Sequence, residues 1–229
     1  MRGLLFDLEG TTTSLAFVKD ELFPYARRRI PGFLHDHRDE PAIRPIVARL
    51  AQQLGTDPAD LTTIGAALQN WIDEDRKDPD LKELQGFVWE EGYRGGAYQG
   101  HLYPDVVPFW ERARAAGALL AIYSSGSEQA QRLLLQHSGG GDVSGLIARH
   151  FDTRVGAKTD PASYARIATS LELAPPEIEF FSDAVPELDA ARAAGLRTCR
   201  VLRPGVPRLP HGHPEIATFS ELDREVGRV

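Results

Sequence analysis

Cysteine is nearly missing from this chain: Cys199 is the only one in 229 residues, so no disulfide can close within it. A reducing cytoplasm is the expected home, and Cys199, set in an apolar stretch, reads as a buried strand residue. No long apolar run follows the charged N-terminus, so neither a signal peptide nor a membrane span is expected. No basic block offsets the net charge of −7, and the densest basic run, Arg27-Arg28-Arg29, is too short to do so. Nucleic acid and anionic membrane are therefore excluded as expected partners. Internal repeats and low-complexity tracts are also absent. Lysine is scarce, with Lys19, Lys77, Lys82 and Lys158 standing against twenty-two arginines. What remains is 42% apolar and 26% charged, the composition of a soluble globular protein. The length suits one domain carrying a smaller insert, and nothing demands an oligomer, so a monomer is expected.

Five short apolar runs read as strands: Gly3 to Leu8, Ala118 to Ser124, a weaker His150 to Val155, Ile178 to Ser182 and Thr198 to Leu202. They are continuous rather than alternating, as strands buried on both faces of a parallel sheet must be. Helix signals lie between the later ones. Ser127 caps an apolar-spaced segment to His137, Asp160-Pro161 opens a helix to about Leu171, and Pro186 to Ala194 is closed by Gly195. Strand-helix alternation implies an α/β fold with a doubly wound parallel sheet, whose ligands bind at the carboxyl ends of the strands. Residues 15–100 differ. They carry helical patterns at Ile43 to Leu54, Ile64 to Asp75 and Leu81 to Trp89, with no convincing strand. The run Gly92-Tyr93-Arg94-Gly95-Gly96 reads as a hinge or close-packed turn. The expected domains are thus a core of 1–14 and 101–229 and a helical cap of 15–100. After Pro204 the tail reads as loop, with a last short helix from Ser220.

The strand ends collect the chemistry. The first ends in Asp7 and Glu9, the second in Ser124-Ser125-Gly126, and the fourth in Asp183, while Lys158 follows the third and precedes a helix start. Carboxylate oxygens suit Mg²⁺, which keeps waters and takes substrate phosphate as a further ligand. Hydroxyls, helix-start N–H groups and a lysine suit phosphate oxygens. A Mg²⁺ and phosphate site is the reading. Taken singly each feature has a plainer one: capping or solvated acids, capping threonines at Thr11 to Thr13, a plain turn at Ser124-Ser125. Four coinciding strand ends weigh against those.

Asp7-x-Glu9-Gly10-Thr11-Thr12, Ser124-Ser125, Lys158 and Asp183 resemble the four motifs of the haloacid dehalogenase superfamily. More narrowly, FDLEGTTTSLAFVKDELFPYA, LQGFVWEEGY, AIYSSGSEQAQRLLLQHS and HFDTRVGAKTDPASYARIA are similar to the bifunctional enolase-phosphatases of methionine salvage, over nearly the whole chain. That resemblance implies enolisation of 2,3-diketo-5-methylthiopentyl-1-phosphate, then loss of its phosphate to give an acireductone, with one Mg²⁺ per chain. It makes Asp7 the nucleophile and a metal ligand, Asp183 a metal ligand, and Glu9 a metal ligand through its carbonyl with its carboxyl free for acid–base work. Ser124, Ser125 and Gly126 would hold the phosphoryl group, and Lys158 would stabilise its charge. The enolisation base stays open between Glu9 and a group of the cap.

Glu187 reads either as a water-mediated metal neighbour or as a helix first-turn acid, and Asp189 as structural. The His211-Gly212-His213 stretch reads as a solvated loop, and Trp71, Trp89 and Trp110 as packing residues, with Trp89 placed to approach substrate. Tyr93 and Arg94 are candidate lid contacts, and Lys19 either faces the site or pairs with an acid. Competing functions are another small-metabolite phosphatase on the same fold, a mutase, a dehalogenase, and a non-catalytic phosphate-binding module. The last would have lost Asp7 or Asp183, and both are present.

Overall fold

The computed structural model describes residues 2–205, 208 and 210–222. The chain divides into two compact units, one of Met1–Leu15 with Gly100–Val229, the other of Ala16–Gln99. In the first, strands β1 (Gly3–Phe6), β2 (Leu119–Tyr123), β3 (Arg149–Phe151), β4 (Ile178–Ser182), β5 (Arg197–Val201) and β6 (Glu215–Ile216) form one sheet. Their order is β3-β2-β1-β4-β5-β6 and every pairing is parallel. The fold is α/β, as the alternation of strand and helix implies.

Burial on both faces explains the continuous apolar runs. In a strand, neighbouring side chains point to opposite faces. Leu5 of β1 joins Tyr123, Tyr164, Ile167, Phe180 and Leu188 in one core layer. Phe6, one residue on, joins an aromatic cluster instead: it stacks on Phe181 at 5.2 Å between ring centroids and meets Phe109, Trp110 and Phe219 edge-on. In register, Phe6 lies opposite Ile122 and Phe181, so Asp7, Ser124 and Asp183 all emerge at one edge, on three adjacent strands.

Helices of the core unit follow their sequence signals closely. α6 (Glu128–Gln136) starts from Ser127, whose hydroxyl accepts from the Ala130 N–H, and α7 (Pro161–Leu171) from Asp160, which accepts from Ala162. α8 (Val185–Ala193) follows β4. α5 (Val106–Ala115), which supplies Phe109 and Trp110, and β6 have no counterpart among the sequence expectations. At the tail, Phe219–Leu222 form a 3₁₀ turn, and the rest of the expected last helix lies outside the described residues.

The second unit is helical throughout. A π-helical segment, Phe17–Leu22, runs into α1 (Phe23–His37), followed by α2 (Arg44–Leu54), α3 (Leu61–Asp73) and α4 (Pro79–Arg94). The pairs Ile30/Leu34, Ile46/Leu50, Ile64/Leu68 and Leu84/Val88 are fully buried, one i,i+4 pair per α-helix. α4 runs through Gly92 to Arg94, so the expected glycine turn begins only at Gly95-Gly96. A Cβ at Gly92 would stand 2.6 Å from the Tyr98 Oη and 2.8 Å from Tyr25, so glycine makes room for a tyrosine cluster. Tyr93 belongs to that cluster and is buried rather than placed as a surface contact, while Arg94 pairs with Glu90. Trp71, Trp89 and Trp110 are buried, and the Trp89 indole donates to the Leu22 carbonyl at 2.9 Å. Lys19 is exposed and makes no ion pair among the described residues. Among the described residues no helix is long and apolar enough to cross a membrane.

Candidate active site

Asp7 follows directly on β1 and is buried, which an unpaired carboxylate would not tolerate. Its Oδ1 pairs with the Lys158 ammonium, and its Oδ2 accepts from the Thr11 hydroxyl at 3.2 Å. The same Thr11 oxygen accepts the Asp183 N–H at 3.0 Å, so one hydroxyl ties the end of β1 to the end of β4. The turn that brings Thr11 back depends on Gly10, whose φ of +80° suits glycine. A Cβ at Gly10 would lie 2.6 Å from Asp183 Oδ2, so glycine also lets the backbone pass against that carboxylate.

Lys158 is buried and forked. Its ammonium meets Asp7 on one side and Glu187 Oε2 at 2.6 Å on the other, and its carbonyl accepts from the Tyr164 hydroxyl at 2.7 Å. Burial works to lower its pKa, but the two carboxylates outweigh it and raise the value, so the lysine stays charged. Glu187, in the first turn of α8, also accepts from the Ser182 hydroxyl at 3.0 Å. Its pKa is raised by burial and then by the charge of Asp7. Glu187 is therefore more than a bare first-turn acid: it pairs with the same ammonium that meets Asp7. Burial, and next the charge of Asp7, push Asp183 up to about 6.

Ser124 stands one strand away, at the end of β2, and is buried. Its hydroxyl oxygen accepts from the Gly126 N–H at 3.1 Å, which leaves the hydroxyl proton as the donor this turn can offer. The Gly126 amide, expected to meet phosphate, is thus engaged within the turn. Ser125 is exposed, as is Glu9, whose neighbourhood closes by a backbone bridge to Thr13.

Among the described residues no group of three or more His, Cys, Asp or Glu side chains is arranged to hold a metal ion. A magnesium site needs fewer: one or two carboxylates, with waters, carbonyl and phosphate completing the shell. Asp7 and Asp183 fit that demand. The Asp183 carboxylate has no basic side chain paired with it among the described residues, yet sits close enough to Asp7 for each charge to cost the other. Two hard carboxylates with one lysine between three acids form a donor set short of positive charge.

The tail histidines depart from the sequence reading. His213 is buried, bonded to the Thr198 hydroxyl at 2.8 Å and to Asp189 at 3.1 Å, so this stretch packs onto β5 rather than floating in solvent. Sequence reasoning missed two further residues. Arg203 donates to the Thr11 carbonyl at 2.8 Å while paired with Asp105 at 2.9 Å. Gln131 is a polar residue at an inward helical position beside Leu134 and Leu135; that break in an apolar stripe is the signal that could have found it.

Residues 1–195 match the family model for haloacid dehalogenase-like hydrolases. An enolase-phosphatase E1 of Methylococcus capsulatus is 45% identical over 226 residues, covering 99% of each chain. One of Pseudomonas aeruginosa is 46% identical over 222 residues, covering 97% of this chain and 98% of its own. Among solved structures, the UTR4 protein of Saccharomyces cerevisiae superposes with a TM-score of 0.82 at 33% identity, covering 95% of this chain and 98% of its own. A phosphatase from Thermococcus onnurineus, at 20% identity and a TM-score of 0.63, shares the fold.

Proposed function

We infer the reaction from one premise: this chain belongs to the haloacid dehalogenase-like hydrolases, and within them to the enolase-phosphatases. The reaction is enolisation and dephosphorylation of 2,3-diketo-5-methylthiopentyl-1-phosphate in methionine salvage. The single observation that carries the reading is the buried Asp7–Lys158 pair beside Asp183 at the carboxyl edge of the sheet. A structural ion pair has no need of a second, unpaired carboxylate next to it.

One Mg²⁺ per chain would be held by Asp7, Asp183 and the Glu9 carbonyl; when bound, it supplies neutralising charge for an anion meeting an anion and polarises a substrate oxygen. Asp7 attacks phosphorus, forming an aspartyl-phosphate as the bond to the substrate's alcohol oxygen breaks. The Glu9 carboxyl gives its proton to that oxygen, then takes one from the water that attacks phosphorus, releasing phosphate and restoring Asp7. Lys158, held charged and paired with Glu187, stabilises the phosphoryl oxygens, and the Ser124 hydroxyl donates to one of them. The helical unit is assigned the selection of substrate. The chain is taken to act as a monomer in the cytoplasm, in keeping with its net charge and single cysteine.

The test is Mg²⁺-dependent turnover of the diketone phosphate, followed by enol absorbance and phosphate release, beside a panel of sugar phosphates. Both signals are expected, with the diketone preferred, and Asp7→Asn should abolish phosphate release. Phosphate release that survives in Asp7→Asn removes the covalent mechanism; release without an enol intermediate removes the bifunctional assignment.

A further inference from the structure

The turn Ser124-Ser125-Gly126 is pinned at both ends to the last residue of β3. At its start, the Ser124 N–H donates to the Phe151 carbonyl at 3.1 Å. At its end, the Gly126 carbonyl accepts from the Gln131 amide at 3.0 Å, and that same amide nitrogen donates to the Phe151 carbonyl at 2.8 Å. Gln131 is only 1% exposed. Both its N–H groups are spent on carbonyl oxygens, and its own oxygen accepts from His150 Nδ1 at 3.0 Å.

This arrangement works in one orientation only. If the amide were flipped, its oxygen would face two carbonyl oxygens and its N–H groups would face the ring. His150 forbids that flip as long as Nδ1 carries the proton, which leaves Nε2 bare, and Nε2 is buried with no partner. Burial, and next the charge of Arg132, hold the ring's pKa down at about 4, so it stays neutral as this role requires. An aliphatic side chain would fill the same space beside Leu134 and Leu135 without needing three satisfied bonds. The amide is explained by what it holds, the geometry of the turn that presents the Ser124 hydroxyl.

We propose that Gln131 is a positioning residue for the phosphate-binding turn, with its amide orientation set by His150. The inference rests on the reading of Ser124 as a phosphate contact. Because the turn would grip phosphate in the ground and transition states alike, loosening it raises KM and product Kd and leaves kcat nearly unchanged.

The experiment measures inorganic phosphate binding to the Mg²⁺-loaded protein by calorimetry, with kcat, KM and thermal midpoint recorded alongside. Gln131→Met removes both donors at similar volume and is expected to weaken phosphate binding about tenfold. Gln131→Glu sets a second acceptor against the two carbonyls and should weaken it further. His150→Leu frees the amide to flip and should give a smaller change of the same sign without touching Gln131, which keeps the test open if Gln131→Met fails to fold. Unchanged phosphate affinity in the folded variants, with only the thermal midpoint lowered, makes Gln131 a structural residue and overturns the inference. Wild-type protein that binds no phosphate, or Ser124→Ala that binds it as tightly as wild type, overturns the functional reading and this inference with it. Wild-type binding that Ser124→Ala weakens and no Gln131 variant alters overturns the inference alone.

Discussion

In the helical unit the buried interior is aliphatic and aromatic, and its buried polar residues among those described are two, Asp78 and Gln85. Asp78 is a helix cap, accepting from the Asp80 and Leu81 N–H groups. The core unit buries Asp7, Lys158, His150, Gln131, Arg200 and Arg203 among its strands and loops. Apart from Asp78, the charges that bridge the helices of the helical unit sit at the surface: Arg27 to Asp73 at 2.7 Å, Arg49 to Asp80 and Glu83 at 2.7 and 2.8 Å. The contrast follows from what each unit does with its backbone. Helices satisfy their own N–H and C=O groups, so packing them needs only apolar stripes. The strand-end loops have no such internal partners, and buried side chains supply them. Thr11 holds Asp7 and Asp183, Arg203 holds Thr11, and Gln131 holds Gly126.

If this contrast is right, breaking a buried pair in the core should cost most. Arg203 is buried, and Arg203→Met leaves the part-buried Asp105 without its cation, so a loss of about 3–5 kcal/mol is expected in urea denaturation. Replacing both partners by apolar residues should recover part of that loss, because the uncompensated charge is then gone. A single variant that loses nothing would show that Asp105 is well solvated. In the helical unit the comparable damage must come from a cavity. Leu68→Ala, at a fully buried site of α3, should cost about 2–5 kcal/mol by the same measurement.

Much of the core's architecture was legible because it rests on local signals. Continuous apolar runs mark strands buried on both faces, and the residue after each run lies at the carboxyl edge, which is how Asp7 and Asp183 announce themselves. Ser127 and Asp160-Pro161 mark helix starts by capping chemistry that needs only neighbouring residues. What was not legible is tertiary. Glu187 reads either as a first-turn acid or as a water-mediated metal neighbour, because its partner Lys158 is twenty-nine positions away on another loop. Gly92 reads as a turn because glycine breaks helices, and only the rings of Tyr98 and Tyr25 reveal why it stays in one. β6 is two residues long, too short for any periodicity, and is recognised only by its pairing with Arg200 and Val201. The geometry at Asp7 depends on Arg203, 192 positions away from the Thr11 carbonyl it holds, a distance no local pattern spans.

The core's buried polar groups should also make its stability sensitive to pH. His150 takes a proton near its ordinary 6.5 when unfolded and at about 4 when folded. Between those values the unfolded chain binds more protons, so stability falls as pH drops through that window. An effect of about 2 kcal/mol is expected between pH 7 and 4, after allowance for solvent near the ring. The urea midpoint of wild type should fall more steeply over this range than that of His150→Leu. Parallel slopes would mean that the ring is protonated in the folded protein at ordinary acidity, and that its unpartnered Nε2 meets water.

The smallest effect belongs to the helical unit's surface. Arg27 and Asp73 form a two-bonded pair between α1 and α3, 2.7 and 2.9 Å long, which looks like a clasp. Both side chains are about half exposed. In water their attraction is largely offset by solvation and by the freedom two long side chains give up. Arg27→Ala should therefore leave the thermal midpoint within error of wild type, and added salt should change neither protein differently from the other. A clear drop, removed by salt, would show that this unit depends on its charges after all and that the contrast with the core is one of degree. The pair's bonds are as short as many in the core; what separates them is the water around them.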